Sequence, residues 1–210
     1  MAPIILYIIG ALLIGAFGFY AQGKVKTNFS KYSRVRASSG LTGAEAAVQM
    51  LDRAGVHNVR VEKTQGFLSD HYDPSKKVIR LSPQVHDSHS LAALGVACHE
   101  AGHAIQEAHR YAPLQLRNLA VPVASFGSNS SFGLLFVGLL LGLQPLAILG
   151  LLLFAGVVVF QLINLPVEYD ASRRAKQQLV SHGLIAPGQE ETGVSKVLDA
   201  AALTYVAATV

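Results

Sequence analysis

The chain has 210 residues, of which 51% are hydrophobic and only 14% are charged. With a mean hydropathy of +0.38, there are too few charges to coat a free globule, so part of the surface is expected to face lipid. The net charge of +4 does not point to nucleic acid: the cations border apolar stretches, where they read as membrane-topology signals.

The first predicted element, residues 3–22, is an uncharged run long enough to cross a bilayer as a helix. No Lys or Arg precedes it. Lys24, Lys26, Lys31, Arg34 and Arg36 follow it, with no acid before Glu45. By the positive-inside rule the N-terminus lies outside and the next segment is cytoplasmic. A cleaved signal peptide has the opposite charge order.

Residues 24–117 read as a small folded unit. Thr42 and Glu45 form a capping-box pattern ahead of an apolar-periodic helix that ends at Gly55. Val59 and Val61 alternate with polar residues, as in a half-buried strand. Phe67 to Tyr72 and Lys77 to Leu81 flank the turn sequence Asp73-Pro74-Ser75-Lys76, which predicts a hairpin. Ser88 to Ala108 has no proline and is rich in Ala and Leu, which predicts one helix.

Between Arg117 and Glu168 there is no charged residue. That length suits a helical hairpin over 122–165, with crossings at 122–142 and 146–165 and a turn at Gln144-Pro145. After Pro166 charge returns with Arg173, Arg174 and Lys176, on a helix expected to stop near Gly183. These cations place this end on the cytoplasmic side as well. Residues 166–210 thus comprise this helix and a C-terminal one. The apolar tail from Ala200 to Val210 reads either as a packed helix or as the start of another crossing.

His99-Glu100-Ala101-Gly102-His103 is an H-E-x-x-H pattern. On a helix its histidines lie on one face a turn apart, so both imidazoles reach one metal ion. Glu100 is offset toward a water on that ion. The single cysteine, Cys98, excludes an intrachain disulfide; being next to His99 on a helix it points about 100° away and reads as core. A catalytic zinc takes a third protein ligand and keeps one open position. His109 stands at the spacing of the metzincin third histidine, but Gln106 occupies the place of the glycine that turns such a chain back. The preferred reading is a carboxylate from a second helix, Glu168. Asp170 is weaker, lying about 200° around the helix from it. An even number of intervening crossings returns Glu168 to the side that holds His99 and His103.

The stretches YSRVRASSGLTGAEAA, DHYDPSKKVIRLS, GVACHEAGHAIQ, YAPLQLRN, LPVEYDASRRA and AALTYVAA resemble the YugP-like neutral zinc metallopeptidases, which are bacterial membrane proteins. The resemblance covers nearly the whole chain. More distantly the chain is similar to the heat-shock and prenyl-protein membrane metallopeptidases, which also place a helical hairpin between their His and Glu helices. The resemblance implies His99, His103 and Glu168 as ligands of one zinc per chain, and Glu100 as catalytic base. Those distant relatives have an aspartate four residues after the ligand glutamate, where this chain has Ser172.

The fold expected is a mainly α membrane protein. Its zincin-like (gluzincin) catalytic unit carries a small β-hairpin or sheet and about three transmembrane helices. The function expected is zinc-dependent endopeptidase, multi-pass in the bacterial plasma membrane with its catalytic side cytoplasmic. Its partners are the bilayer and a peptide or membrane-protein substrate, not nucleic acid. Strand Lys77–Leu81 or its partner is expected to bind extended substrate by edge pairing. Tyr205, His182 and Arg174 are candidate oxyanion donors. The competing readings are a membrane scaffold with structural zinc, closed by His109 or Asp170, and a zinc transporter. The latter would need polar or ionisable residues within the crossings, and the two later ones offer only Asn129, a few serines, Gln161 and Asn164.

Overall fold

The computed structural model describes residues 2–66 and 69–209. The protein is mainly helical, with one small mixed sheet. Helix α1 (Ala2–Tyr32) does not end with its apolar run. It carries Lys24, Lys26 and Lys31 into the folded region, where Ala21, Phe29 and Tyr32 are buried. Helix α2 (Gly43–Arg53) starts where the Thr42 side chain accepts from the Glu45 N–H, and the Glu45 carboxylate accepts from the Thr42 N–H. That is the reciprocal capping box read from the sequence. Its apolar face, Ala46, Ala47, Met50 and Leu51, is buried in the core.

The sheet has strands β1 (Arg60–Lys63), β2 (His71–Asp73) and β3 (Val78–Leu81) in the order β1-β3-β2. β1 runs parallel to β3, with Arg60 opposite Val78; β2 pairs antiparallel, with Tyr72 opposite Ile79. The predicted hairpin is present, but its first arm is shorter than Phe67 to Tyr72. Phe67 and Leu68 lie outside the described residues. The Asp73 carboxylate accepts from the N–H groups of Ser75 and Lys76, both at 3.1 Å, and so closes the turn. Lys77, at φ +53°, belongs to the turn rather than the strand. The expectation that Lys77–Leu81 offers an edge to substrate is corrected here. β3 is the central strand, paired on both sides, so its backbone groups are already used.

After a short turn of helix, α3 (Pro83–His86), comes the central helix α4 (Leu91–Ala108). It begins at Leu91 rather than Ser88 because the Ser90 hydroxyl accepts from the Ala93 N–H and caps it. It is buried along most of its length, with Val96 and His99 only partly so, packed among α2, the sheet, α6 and α7.

Helices α5 (Ala112–Leu140) and α6 (Gln144–Ser181) form the long antiparallel pair. The chain reverses at Leu141–Leu143, and Pro145 stands in the first turn of α6, where its missing N–H costs nothing. The backbones approach closely at Gly138 and Gly150; a Cβ on Gly150 would lie 2.5 Å from the Leu135 nitrogen. α5 and α6 are both long and apolar enough to cross a membrane. Their outward residues, among them Phe126, Phe132, Phe136, Leu139 and Leu152, are exposed. α6 runs through Pro166 without a break, so the second apolar stretch and the segment bearing Glu168 are one helix. It ends at Ser181, with the Leu184 N–H on the Leu179 carbonyl and Gly183 at φ +66°. Helix α7 (Gln189–Ala207) packs on α1 and α4 through Val194, Val197 and Leu198, and it continues into the apolar tail as far as Ala207.

Candidate metal centre

Helices α4 and α6 meet at Gly102. A Cβ there would stand 2.8 Å from the Ala171 carbonyl oxygen and 3.2 Å from its Cα, so only glycine lets the backbones approach this closely. On α4, His99 and His103 lie one turn apart around this contact; on α6, Glu168 and Ser172 do the same. Their donor atoms therefore converge across the crossing.

One ligand atom from each of His99, His103 and Glu168 lies within 4.8 Å of the others. Glu168 Oε2 is 3.2 Å from His99 Nε2 and 3.6 Å from His103 Nε2. The two imidazoles meet edge to face with centroids 4.7 Å apart. Donors held tetrahedrally at zinc distances of about 2.0–2.1 Å lie about 3.3 Å from one another. Glu168 thus already stands near chelate spacing from both histidines. Two imidazole nitrogens and one carboxylate oxygen are a donor set that suits zinc, so the residues present fit that ion.

A second layer orients these three groups. The Gln106 amide nitrogen donates to the Val167 carbonyl at 2.8 Å and to Asp170 Oδ2 at 3.0 Å. Its oxygen therefore faces His103 and accepts from Nδ1 at 3.0 Å, directing Nε2 toward Glu168. His99 Nδ1 lies 3.0 Å from the Ser172 hydroxyl, so Ser172 itself supports a histidine, in place of the relatives' aspartate. Asp170, bound by Arg173, Arg174 and Gln106, is spent on this network rather than added to the donor cluster.

Burial alone would raise the Glu168 carboxyl, but hydrogen bonds from His103 and His99 overcome it and hold the group well below the usual carboxylate range. Burial alone would lower His103; the Glu168 hydrogen bond and charge, with Glu100 and Gln106, raise it instead.

Two cavities join at this centre, sharing Asp70, His99, Glu100 and Tyr205 as walls. One continues between α1 and α7 along Val25, Phe29, Val197 and Leu198. The other, about 140 Å³, runs past His71 and Tyr72 of β2 to Arg117 and Asn118 of α5. The Glu100 side chain faces both cavities. Tyr205 is pushed up, first by burial and then by the nearby charges of Glu168 and Glu100.

The other candidates read from the sequence lie elsewhere. His109 caps the C-terminus of α4, with Nδ1 3.5 Å from an Arg174 nitrogen, and is not part of the donor cluster. Arg174 is bound to Asp170 and stacks over Tyr111. His182 caps α6, its carbonyl accepting from Arg53. Sequence reasoning did not single out Gln106, Arg117 or Asn118 for a role. Only Gln106 carried a usable signal, standing three residues after His103 on the same helix face.

A largely buried His–His–Glu donor set opening on a cleft, built where two helices cross, forms a candidate metal centre on a helical scaffold. The chain belongs to the family described as "Putative neutral zinc metallopeptidase", whose model matches residues 4–210. It is 53% identical over 199 residues to the "Putative membrane protease YugP" of Bacillus subtilis (strain 168), covering 94% of this chain and 88% of that protein. No solved structure matches it.

Proposed function

We propose that the protein is a zinc-dependent endopeptidase of the gluzincin type, with His99, His103 and Glu168 holding one zinc and Glu100 acting as general base. The observation that carries this reading is the donor cluster itself: three protein groups with ligand atoms within 4.8 Å of one another, and the remaining side open to a cleft. Structural zinc is usually closed by a fourth protein ligand. Here the two residues that the sequence offered to close it, His109 and Asp170, are engaged with Arg174 and with the Gln106–arginine network.

Zinc, when bound, supplies Lewis acidity to a water molecule and to the scissile carbonyl. Every other part belongs to the chain. Glu100 takes the proton of the attacking water and delivers it to the leaving amine. Gln106 and Ser172 hold the histidine rings in register. Tyr205 remains protonated because its acidity is suppressed, and its hydroxyl faces the cleft, so it is the best of the oxyanion donors considered. Among the described residues β2 keeps an unpaired edge beside the cleft, which suits an extended peptide better than the central β3 does.

The protein would be multi-pass in the bacterial plasma membrane, crossing through the apolar parts of α1, α5 and α6. The cations after the first run and after Pro166 support a cytoplasmic catalytic side. Juxtamembrane segments and membrane proteins are then the accessible substrates. The test is Glu100→Gln: it should keep zinc and lose cleavage by about 10²-fold or more. Undiminished turnover would refute the mechanism.

A further inference from the structure

Arg117 is the last charged residue before the long uncharged run, and it is turned into the cleft rather than out toward a membrane surface. Its Nε is buried without a hydrogen-bond partner. Among the described residues no acid stands within ion-pair distance of it. Its charge nevertheless reaches the Tyr205 hydroxyl, so it stands within electrostatic range of the catalytic centre. A residue serving only to balance Glu100 or Glu168 would be paired with one of them. Glu168 is instead occupied by His99 and His103.

A guanidinium in a cleft that fills on binding loses its water and leaves an unmatched donor fork, which is costly unless an anion arrives with the ligand. The planar fork matches a carboxylate with two parallel hydrogen bonds. The opposite arm of the same cleft, along Val25, Phe29 and Leu198, offers only apolar surface. The two sides of the centre therefore demand different chemistry.

Resting on the peptidase reading above, we propose that Arg117 is a specificity-determining residue that binds a substrate carboxylate on the polar side of the scissile bond. The peptide's other side lies in the apolar arm. The carboxylate is either an Asp or Glu side chain or the C-terminus of the substrate chain. Asn118, beside it in the same wall, is placed to donate a further hydrogen bond.

The experiment offers zinc-loaded, detergent-purified full-length protein a degenerate peptide library, with free and with amidated C-termini, and reads cleavage sites by mass spectrometry. Wild type should favour Asp or Glu at one fixed position by about tenfold or more over Asn or Gln. If the preference instead follows the free C-terminus and vanishes on amidation, the carboxylate is terminal and the proposal stands. Arg117→Gln should erase the preference through KM, and Arg117→Glu should turn it toward Lys, both retaining zinc. A second readout avoids turnover: fluorescence anisotropy of the preferred labelled peptide and its Gln counterpart on Glu100→Gln protein, with and without Arg117→Gln. Glu100-dependent cleavage indifferent to acids, with the same profile in Arg117→Gln, overturns the proposal while leaving the peptidase reading intact. Acid-indifferent cleavage that depends on Arg117 only in vesicles containing phosphatidylglycerol also overturns it, making Arg117 a lipid ligand. Absence of any cleavage by the zinc-loaded wild type removes the peptidase reading, and the proposal with it.

Discussion

Replacing Gly102 with alanine adds one methyl group at the tightest point between α4 and α6. That carbon would stand 2.8 Å from the Ala171 oxygen, where ordinary contact begins at 3.4 Å, so the helices must part by about 0.6 Å. Both partners are helix backbone, which cannot swing aside as a flexible side chain would. The displacement falls on the spacings of 3.2 and 3.6 Å that join Glu168 to the two histidines. A zinc site tolerates errors of about 0.2 Å. Overpacking should cost about 1–3 kcal/mol of stability, and misplaced ligands should weaken zinc about 10–100-fold. The assay is chelator competition with a fluorescent zinc indicator, beside thermal unfolding with and without zinc. The Tm deficit should be larger with zinc than without, because weaker binding removes stabilisation that the wild type gains. Gly133→Ala, whose added carbon meets open space, serves as control and should leave zinc affinity unchanged. Undiminished zinc affinity in Gly102→Ala would refute the claim that this crossing sets the donor geometry.

The supporting layer predicts that Gln106→Leu and Ser172→Ala each lower zinc affinity about 10–100-fold. Gln106→Leu should also destabilise the fold by about 1–3 kcal/mol, because the Val167 carbonyl loses its buried partner. Tyr205→Phe should keep zinc and cut kcat by about 10²–10³-fold. Because Tyr205 is raised above its ordinary value and stays protonated at every pH below that, the alkaline limb of the pH–rate profile should have the same position in wild type and Tyr205→Phe. A limb that moves with the substitution would contradict its role as a standing hydrogen-bond donor. Cys98 is fully buried and its thiol is pushed up to about 12 by burial. It should resist Ellman's reagent at pH 8 in the native protein and react fully once unfolded.

What could be read from the sequence was whatever a single segment encodes. Thr42 and Glu45 announced their own helix start, and His99 with His103 announced a shared face, because each pair lies within one turn of chain. Glu168 needed one more step, the count of crossings between it and the histidines. Strand order was not legible: β1 joins the sheet beside β3 rather than β2, a parallel pairing that no local pattern records. The division at Pro166 was misleading: proline removes one N–H bond and crowds the carbonyl four residues before it, yet α6 passes through it. Gln106 shares a helix face with His103, but the groups that orient its amide lie on α6. Ser172 was opaque for a different reason: it reaches His99 only across the contact that Gly102 allows between two helices, and that contact is a property of the pair.

The central claim is that His99, His103 and Glu168 together hold one catalytic zinc. It is tested most directly by the zinc content of detergent-purified wild type beside Glu168→Gln and His109→Gln. The account predicts one zinc per chain in wild type and in His109→Gln, and loss of zinc in Glu168→Gln. Retention of zinc by Glu168→Gln, with loss in His109→Gln, would contradict it. The third ligand would then come from the end of α4, and the long helical pair would no longer be what completes the site.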